Sequence, residues 1–234
     1  MIYVTGDTHG NYDRLSPRSL GFMQPGDTLL VCGDFGFVWD GSSKEESVLK
    51  KLGNRRYNIC FADGTHENFA LMNQYADVKW KGGSAARISG NLFHLKRGCV
   101  YTIENKRIFV MGGGELPDAE FRNADNAASR PEMPGKQDFL RAVDSLEQCG
   151  YDVDYIITHE PPSTVREFLT MKDSRSTAIS ALNSFFNELS TQCKFKRWYF
   201  GSMHTDKYVS SQYGAVFKSV VNAETGLPVG FKSS

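Results

Sequence analysis

The sequence predicts a mixed α/β domain, with βαβ units in its first third and hairpins added later. Three observations carry this. Short β-favouring runs alternate with helical segments near the start of the chain, which implies crossover connections and parallel pairing. Closely spaced apolar runs in the middle, two of them separated by a tight turn, mark antiparallel hairpins. A cluster of glycine with aspartate or histidine follows each of the first three strand-like runs, as expected where parallel strands end on one crevice.

The elements follow in order. Residues 2–5 form a first strand that stops at Gly6, residues 28–32 a second that stops at Gly33, and residues 57–61 a third ending near Asp63-Gly64. Helical composition fills 43–52 between the second and third, and 69–75 after the third. Residues 92–95, 99–103 and 107–111 read as strands, with Glu104-Asn105-Lys106 as a hairpin turn. Across 112–136 the apolar pattern lapses into Gly, Pro, Asn and Asp, which predicts a loop or lid inserted within a single domain spanning 1–234. A helix is expected at 137–148 and a strand at 153–158. A second amphipathic helix is expected at 177–189, with Ile179, Leu182, Phe185, Phe186 and Leu189 on one face. Strands at 197–200, 207–210 and 215–221 and a tail at 229–231 close the chain.

Composition bounds the class. The 234 residues carry 27 basic and 27 acidic side chains, so the zero net charge lacks the footprint of tight binding to long nucleic acid. At 40% apolar and 23% charged, the chain has the make-up of an ordinary globular domain with a sizeable core. Its longest apolar runs fall short of the ~18 residues of a membrane span. Met1-Ile2-Tyr3-Val4 lacks the basic start of a signal peptide. The five cysteines form no CxxC pair and read as buried thiols in a reducing, cytoplasmic setting.

Chemistry collects at the strand ends. Gly6-Asp7-Thr8-His9-Gly10, Gly33-Asp34-Phe35-Gly36 and Gly64-Thr65-His66-Glu67-Asn68 follow the first three strands. Thr158-His159-Glu160 and Gly201-Ser202-Met203-His204 follow two later ones. Aspartate and neutral histidine are ligands for Zn, Mn or Fe, and a shared carboxylate can bridge two ions. Four of the five histidines fall in these clusters, and together they read as one metal site. His94, inside a strand-like run, reads as structural. Glu160 and Asp206 stand beside candidate ligands and either orient the imidazoles or decorate the surface. Gly112-Gly113-Gly114 fits neither nucleotide-loop pattern and reads as a tight turn. Arg122 and Arg130 read as solvated loop arginines, with a phosphate clamp as the sharper alternative.

The ordered series Asp-x-His, Gly-Asp, Gly-x-His-Glu, lone His and Gly-x-x-His, from Asp7 to His204, resembles the calcineurin-like metallophosphoesterases, particularly the compact bacterial and phage-type members. The resemblance implies a four-layer α/β/β/α sandwich of mixed sheets with a divalent-metal centre at the strand ends. It implies metal ligands at Asp7, His9, Asp34, His159 and His204, and a catalytic role for His66 toward the leaving group. Two positions depart from the family pattern: Thr65 stands where an asparagine ligand is usual, and Ser202 where a histidine is. Both departures fall on one ion of the pair, leaving it Asp34 and His159, while Asp7, His9, Asp34 and His204 complete the other.

The expected function is therefore a metal-dependent phosphoesterase, a phosphatase or phosphodiesterase acting on a small phosphate ester or nucleotide, with one metal site complete and the second doubtful. The alternatives are a catalytically impaired regulator that binds metal or nucleotide, and a phosphoprotein phosphatase. The latter branch expects Asp-Arg-Gly after its second motif, which Gly33-Asp34-Phe35-Gly36-Phe37 lacks. A nuclease is disfavoured by the zero net charge.

Overall fold

Strands β1 (Ile2–Thr5), β2 (Thr28–Cys32) and β3 (Asn58–Ala62) pair in parallel, with Val4 opposite Leu30 and Leu30 opposite Cys60. All three expected parallel strands are present, the third shifted by one residue. The computed structural model describes residues 1–115, 131–170 and 180–230.

The remaining strands are β4 (Asp77–Trp80), β5 (Gly83–Ser89), β6 (Leu92–Leu95), β7 (Cys99–Ile103), β8 (Lys106–Met111), β9 (Tyr155–Thr158), β10 (Arg197–Phe200), β11 (Lys207–Tyr208), β12 (Tyr213–Ala215), β13 (Val220–Asn222) and β14 (Pro228–Val229). They build an eight-stranded sheet, β14-β13-β1-β2-β3-β6-β5-β4, and a six-stranded sheet, β11-β12-β10-β9-β8-β7. Helices α1 (Ser43–Gly53), α2 (Phe69–Met72), α3 (Lys136–Gln148), α4 (Ser163–Thr170) and α5 (Ala181–Gln192) complete the described elements. Among the described residues no helix is long and apolar enough to cross a membrane.

Period-two alternation sets the layers. Val4, Leu30, Cys32, Cys60 and Ala62 face inward and pack with Tyr101, Ile108, Val110, Tyr155, Ile157 and Tyr199 of the second sheet. Their neighbours Tyr3, Leu29, Val31, Ile59 and Phe61 face outward onto Leu49 and Leu52 of α1 and Met72 of α2. On the far side, Phe109, Ile156, Trp198 and Phe200 meet Ala142 and Leu146 of α3, Val165 of α4, and Leu182, Phe186 and Leu189 of α5. This is the four-layer α/β/β/α sandwich of mixed sheets. The buried Trp198 indole N–H donates to Thr158 Oγ1 at 2.8 Å, which satisfies its polar atom between β10 and β9.

Three local differences from the sequence reading have physical causes. Strands β4 and β5 were not expected, because Gly83-Ser84-Ala85-Ala86 carries little β signal; the hairpin is set by Lys81 and Gly82, both at positive φ (50° and 93°). Residues 215–221, expected as one strand, divide between β12 and β13, which belong to different sheets. The Asp206 carboxylate accepts the backbone N–H groups of Phe217, Lys218 and Ser219 and holds the crossing turn. The second amphipathic helix begins at Ala181, where the Ser180 side chain caps it by accepting the Asn183 N–H. Residues 177–179 lie outside the described residues, as do 116–130 of the expected 112–136 insertion, with Arg122 and Arg130.

Candidate metal centre

The loops after β1, β2 and β3 are tied to one another before any ion is considered. His9 N–H donates to Asp34 O, Gly10 N–H to Phe35 O, and Thr8 Oγ1 to Phe35 O at 2.8 Å. Glu67 reaches back from the third loop and accepts the N–H groups of Phe35 (2.7 Å) and Gly36 (3.2 Å). Arg14, in a short 3-10 turn at Tyr12–Leu15, donates to the carbonyls of Asp7, Gly6 and Phe217 and to Thr5 Oγ1. Two glycines make room for the carboxylates. A Cβ on Gly201 would lie 2.0 Å from Asp7 Oδ1, and one on Gly64 2.1 Å from Asp34 Oδ1.

The result is a compact donor set. One ligand atom each from Asp7, His9, Asp34 and His204 lies within 4.8 Å of the other three. His204 Nε2 is 2.9 Å from Asp7 Oδ2 and 3.2 Å from His9 Nε2, and His9 Nε2 is 3.9 Å from Asp34 Oδ2. The two aspartates are buried while the two histidines are exposed, so the cluster has a closed floor and an open mouth. The His204 ring stacks on Phe217, with centroids 4.9 Å apart.

His159 sits behind this group, buried, with Nδ1 3.4 Å from Asp7 Oδ1 and Nε2 3.8 Å from Asp34 Oδ1. His66 lies at the mouth, its Nδ1 2.8 Å from Asp34 Oδ2 and 3.0 Å from Thr65 Oγ1. Asp34 Oδ1 accepts the backbone N–H groups of Thr65 (2.7 Å) and His66 (2.8 Å). Ser202 Oγ is buried and makes no hydrogen bond.

Electrostatics follow from this packing. Burial opposes ionisation of Asp7, but the His159 and His204 imidazoles outweigh it and hold the carboxyl at about 2. Burial likewise opposes charging His159, yet Asp7, Asp34 and Glu160 push it up to about 10. His204 is raised by its contact with Asp7 against its own burial. His9 is lowered by burial, despite Asp34 and Asp7. Burial raises Glu67 to about 8 against the two N–H groups it accepts.

A divalent ion fits these residues. Both carboxylate oxygens of Asp7 are buried and neither makes a directed hydrogen bond. The imidazoles facing them, His204 at 2.9 Å and His159 at 3.4 Å, are themselves ligand donors, so one cation at this point would satisfy carboxylate and rings together. Two carboxylates and two imidazoles supply that environment with oxygen and nitrogen donors suited to Zn, Mn or Fe.

Other residues singled out by sequence have different work. The buried Glu160 carboxylate pairs with Arg166 at 2.8 Å and accepts N–H groups from Asn183 and Glu115, with no hydrogen bond to an imidazole. Asp206 caps the turn described above. His94 is structural, bonded to Asp63, which Arg97 also holds. Gly112-Gly113-Gly114, expected as a tight turn, is instead an irregular segment leaving β8, with Gly113 N–H on Asp63 O and Gly114 N–H on Glu132 O. The roles of Arg14, Asp63 and Arg97 were not visible in sequence. The one signal at hand was Asp63 at the end of a strand, beside a motif glycine.

Two mixed sheets flanked by helices, with an Asp/His cluster at the strand ends, define a metal-binding sandwich of the hydrolytic type. The chain belongs to the calcineurin-like phosphoesterase family, whose profile matches residues 1–206. Membership implies metal-dependent hydrolysis of phosphoesters. Among solved structures it is similar to the protein of unknown function AQ665 from Aquifex aeolicus, at 18% identity over 81% of this chain and 92% of that one, with a TM-score of 0.34. No curated protein matches the chain.

Proposed function

We propose that the chain hydrolyses a small phosphate ester or nucleotide in the cytoplasm, using one firmly bound divalent ion held by Asp7, His9, Asp34 and His204. The observation that carries this is the convergence of Asp7, His9, Asp34 and His204, one ligand atom from each lying within 4.8 Å of the others over a buried carboxylate floor. When bound, the ion supplies Lewis-acid polarisation of the phosphoryl group and lowers the pKa of a bound water. Asp7 and Asp34 set the charge of the floor, and the tied loops fix their separation. His66 is the catalytic residue for the leaving oxygen. Its Nδ1 is anchored between Asp34 and Thr65, which leaves Nε2 to hand over a proton.

A second ion would rely on Asp34 and His159 with Thr65 and Ser202 beside them. Asp34 Oδ1, the oxygen toward His159, already accepts two backbone N–H groups. The Thr65 hydroxyl is engaged with His66, and neutral hydroxyls are poor ligands. His159, with Asp7 and Asp34 as its carboxylate neighbours, is the one imidazole left to that second position.

Metal analysis of chain purified without chelator, together with turnover of p-nitrophenyl phosphate and bis(p-nitrophenyl) phosphate in Mn, tests this reading. One tight ion per chain and turnover abolished by Asp34→Asn are expected. Thr65→Asn with Ser202→His should bring the count to two and raise the rate on the order of a hundredfold. Two tight ions in the native chain would overturn the one-ion assignment. Turnover seen only after both substitutions would favour a regulator over an enzyme.

A further inference from the structure

Phe217 lies in the turn that carries the chain from β12 in the second sheet to β13 in the first. It belongs to none of the strand-end motifs. Its backbone is nonetheless fixed at both ends. The N–H donates to Asp206 Oδ1 at 2.8 Å, two residues after His204. The carbonyl accepts from the Arg14 guanidinium and from Thr5 Oγ1 at 3.3 Å. Arg14 also holds the ring, its guanidinium carbon lying 5.5 Å from the ring centroid. The Phe217 ring then stacks against the His204 imidazole, with centroids 4.9 Å apart and planes 24° from parallel.

That contact matters because His204 lacks the usual means of orientation. A metal-binding imidazole ordinarily donates its second ring nitrogen to a carbonyl or carboxylate, which fixes the plane of the ring. His159 has such a partner in the Cys32 carbonyl, 3.3 Å from Nδ1. His204 turns Nε2 to Asp7 and His9, and no described residue hydrogen-bonds its Nδ1. Its side chain is 51% exposed, so close packing on every side does not hold it either. His9 meets it edge-on, with centroids 5.2 Å apart, but is itself exposed. The flat face of Phe217 is what remains to set its plane.

Arg14 gives the arrangement a common frame. Asp7 follows β1 and His204 follows β10, so the two ligands come from different sheets. The one guanidinium donates both to the Asp7 carbonyl and to the Phe217 carbonyl, and so ties the buried aspartate to the ring under His204. We propose that Phe217 is a positioning residue of the metal centre: clamped by Arg14 and Asp206, its ring sets the plane of the His204 imidazole and aims Nε2 into the donor set. Orienting the imidazole in advance removes an entropy cost from metal binding. The inference rests on the reading of Asp7, His9, Asp34 and His204 as a metal site, and adds a residue outside the ligands.

Phe217→Leu keeps an apolar side chain without a flat face, and Phe217→Tyr keeps the face. In metal-free protein the His204 ring protons, identified by their loss in His204→Ala, carry the ring-current shift of Phe217. That shift should vanish in Phe217→Leu and persist in Phe217→Tyr. Affinity for Mn, read by competition with a fluorescent chelator, should fall about tenfold or more in Phe217→Leu and stay within about twofold in Phe217→Tyr. In a His204→Ala background, Phe217→Leu should change the residual affinity by less than about twofold, since no imidazole is left to orient. Urea unfolding of each metal-free variant ensures that folded chains are compared. Equal Mn affinity in the native and Phe217→Leu chains overturns the positioning role and leaves the metal centre standing. So does an equal loss in both His204 backgrounds, which would make Phe217 a general support of the loop. A native chain that binds no Mn refutes the metal centre itself, and the positioning role with it.

Discussion

Glu67 ties the site together, and its protonation gives a prediction with a sign that can fail. Its buried carboxyl accepts the N–H groups of Phe35 and Gly36 in the loop that presents Asp34. Burial lifts its pKa from 4.5 to about 8. The folded chain therefore binds more protons than the unfolded chain between those values, so stability falls as pH rises through the window. The full shift corresponds to about 5 kcal/mol, of which about 4 kcal/mol is lost from Glu67 alone between pH 5 and pH 9. Replacing it by Gln removes the titration and leaves one amide oxygen for two donors. The Gly36 N–H then faces an NH2 group, which costs about 1–3 kcal/mol at every pH.

The two effects have opposite signs, so the variant and the native chain should exchange rank. At pH 5 Glu67→Gln is the less stable by about 1–3 kcal/mol. At pH 9 the native chain bears the greater cost, that of an ionised buried carboxylate, and Glu67→Gln becomes the more stable. Urea unfolding of metal-free protein in chelator at pH 5, 7 and 9 measures this. Other groups, His159 among them, titrate in both proteins and cancel in the difference. A stability difference that stays constant from pH 5 to pH 9 would show that Glu67 ionises normally in the fold, and the reasoning would be refuted.

Two further outcomes follow from close contacts. Gly201→Ala places a methyl 2.0 Å from Asp7 Oδ1 and 2.3 Å from the Cys32 carbonyl oxygen, so the carboxylate and the end of β2 must both shift; affinity for Mn should fall about tenfold or more, read by competition with a fluorescent chelator, and the urea midpoint should fall with it. Asp206→Ala deprives the Phe217, Lys218 and Ser219 N–H groups of their acceptor. It should lower stability by about 1–3 kcal/mol in urea, and an unchanged midpoint would mean the crossing turn is held by other contacts.

What was legible depended on how far a signal extends along the chain. The strands at Ile2–Thr5 and Thr28–Cys32 are β-favouring runs that stop at glycines, so their bounds could be read directly. Asp7, His9, Asp34 and His204 were legible because each follows a strand; parallel pairing of β1 and β2 joins the first three, and packing of the two sheets brings His204 from β10. Strand β5 escaped because its small residues owe their pairing to the hairpin at Lys81-Gly82 and to packing on β6, and β4, only four residues long, escaped with its partner. The change of sheet between Ala215 and Val220 escaped because both halves favour strand, and only Asp206, far off in sequence, breaks them. Glu67 on Phe35 and Asp63 on His94 and Arg97 join residues more than 30 positions apart. Such buried pairs have no local pattern, although each stabilises a loop that does.

Backbone strain singles out the same donor set. Seven described residues other than glycine have positive φ. Lys81, Glu104 and Asn105 are hairpin positions where the turn demands it, and Tyr151 follows the glycine that ends α3. The remaining three are His9, Asp34 and His204, at 46°, 41° and 46°. For such residues this conformation costs about 1–3 kcal/mol each, and it persists only where surrounding contacts over-determine it. Here the contacts are identifiable: His9 N–H on Asp34 O, Glu67 on the two residues after Asp34, and the His204 ring on Phe217. All three strained residues belong to the same four-residue donor set, while His159, Thr65 and Ser202 have ordinary backbones. The strain therefore falls on side chains that converge on one point, and it marks this donor set as the centre that the loops after β1, β2 and β10 are built to present.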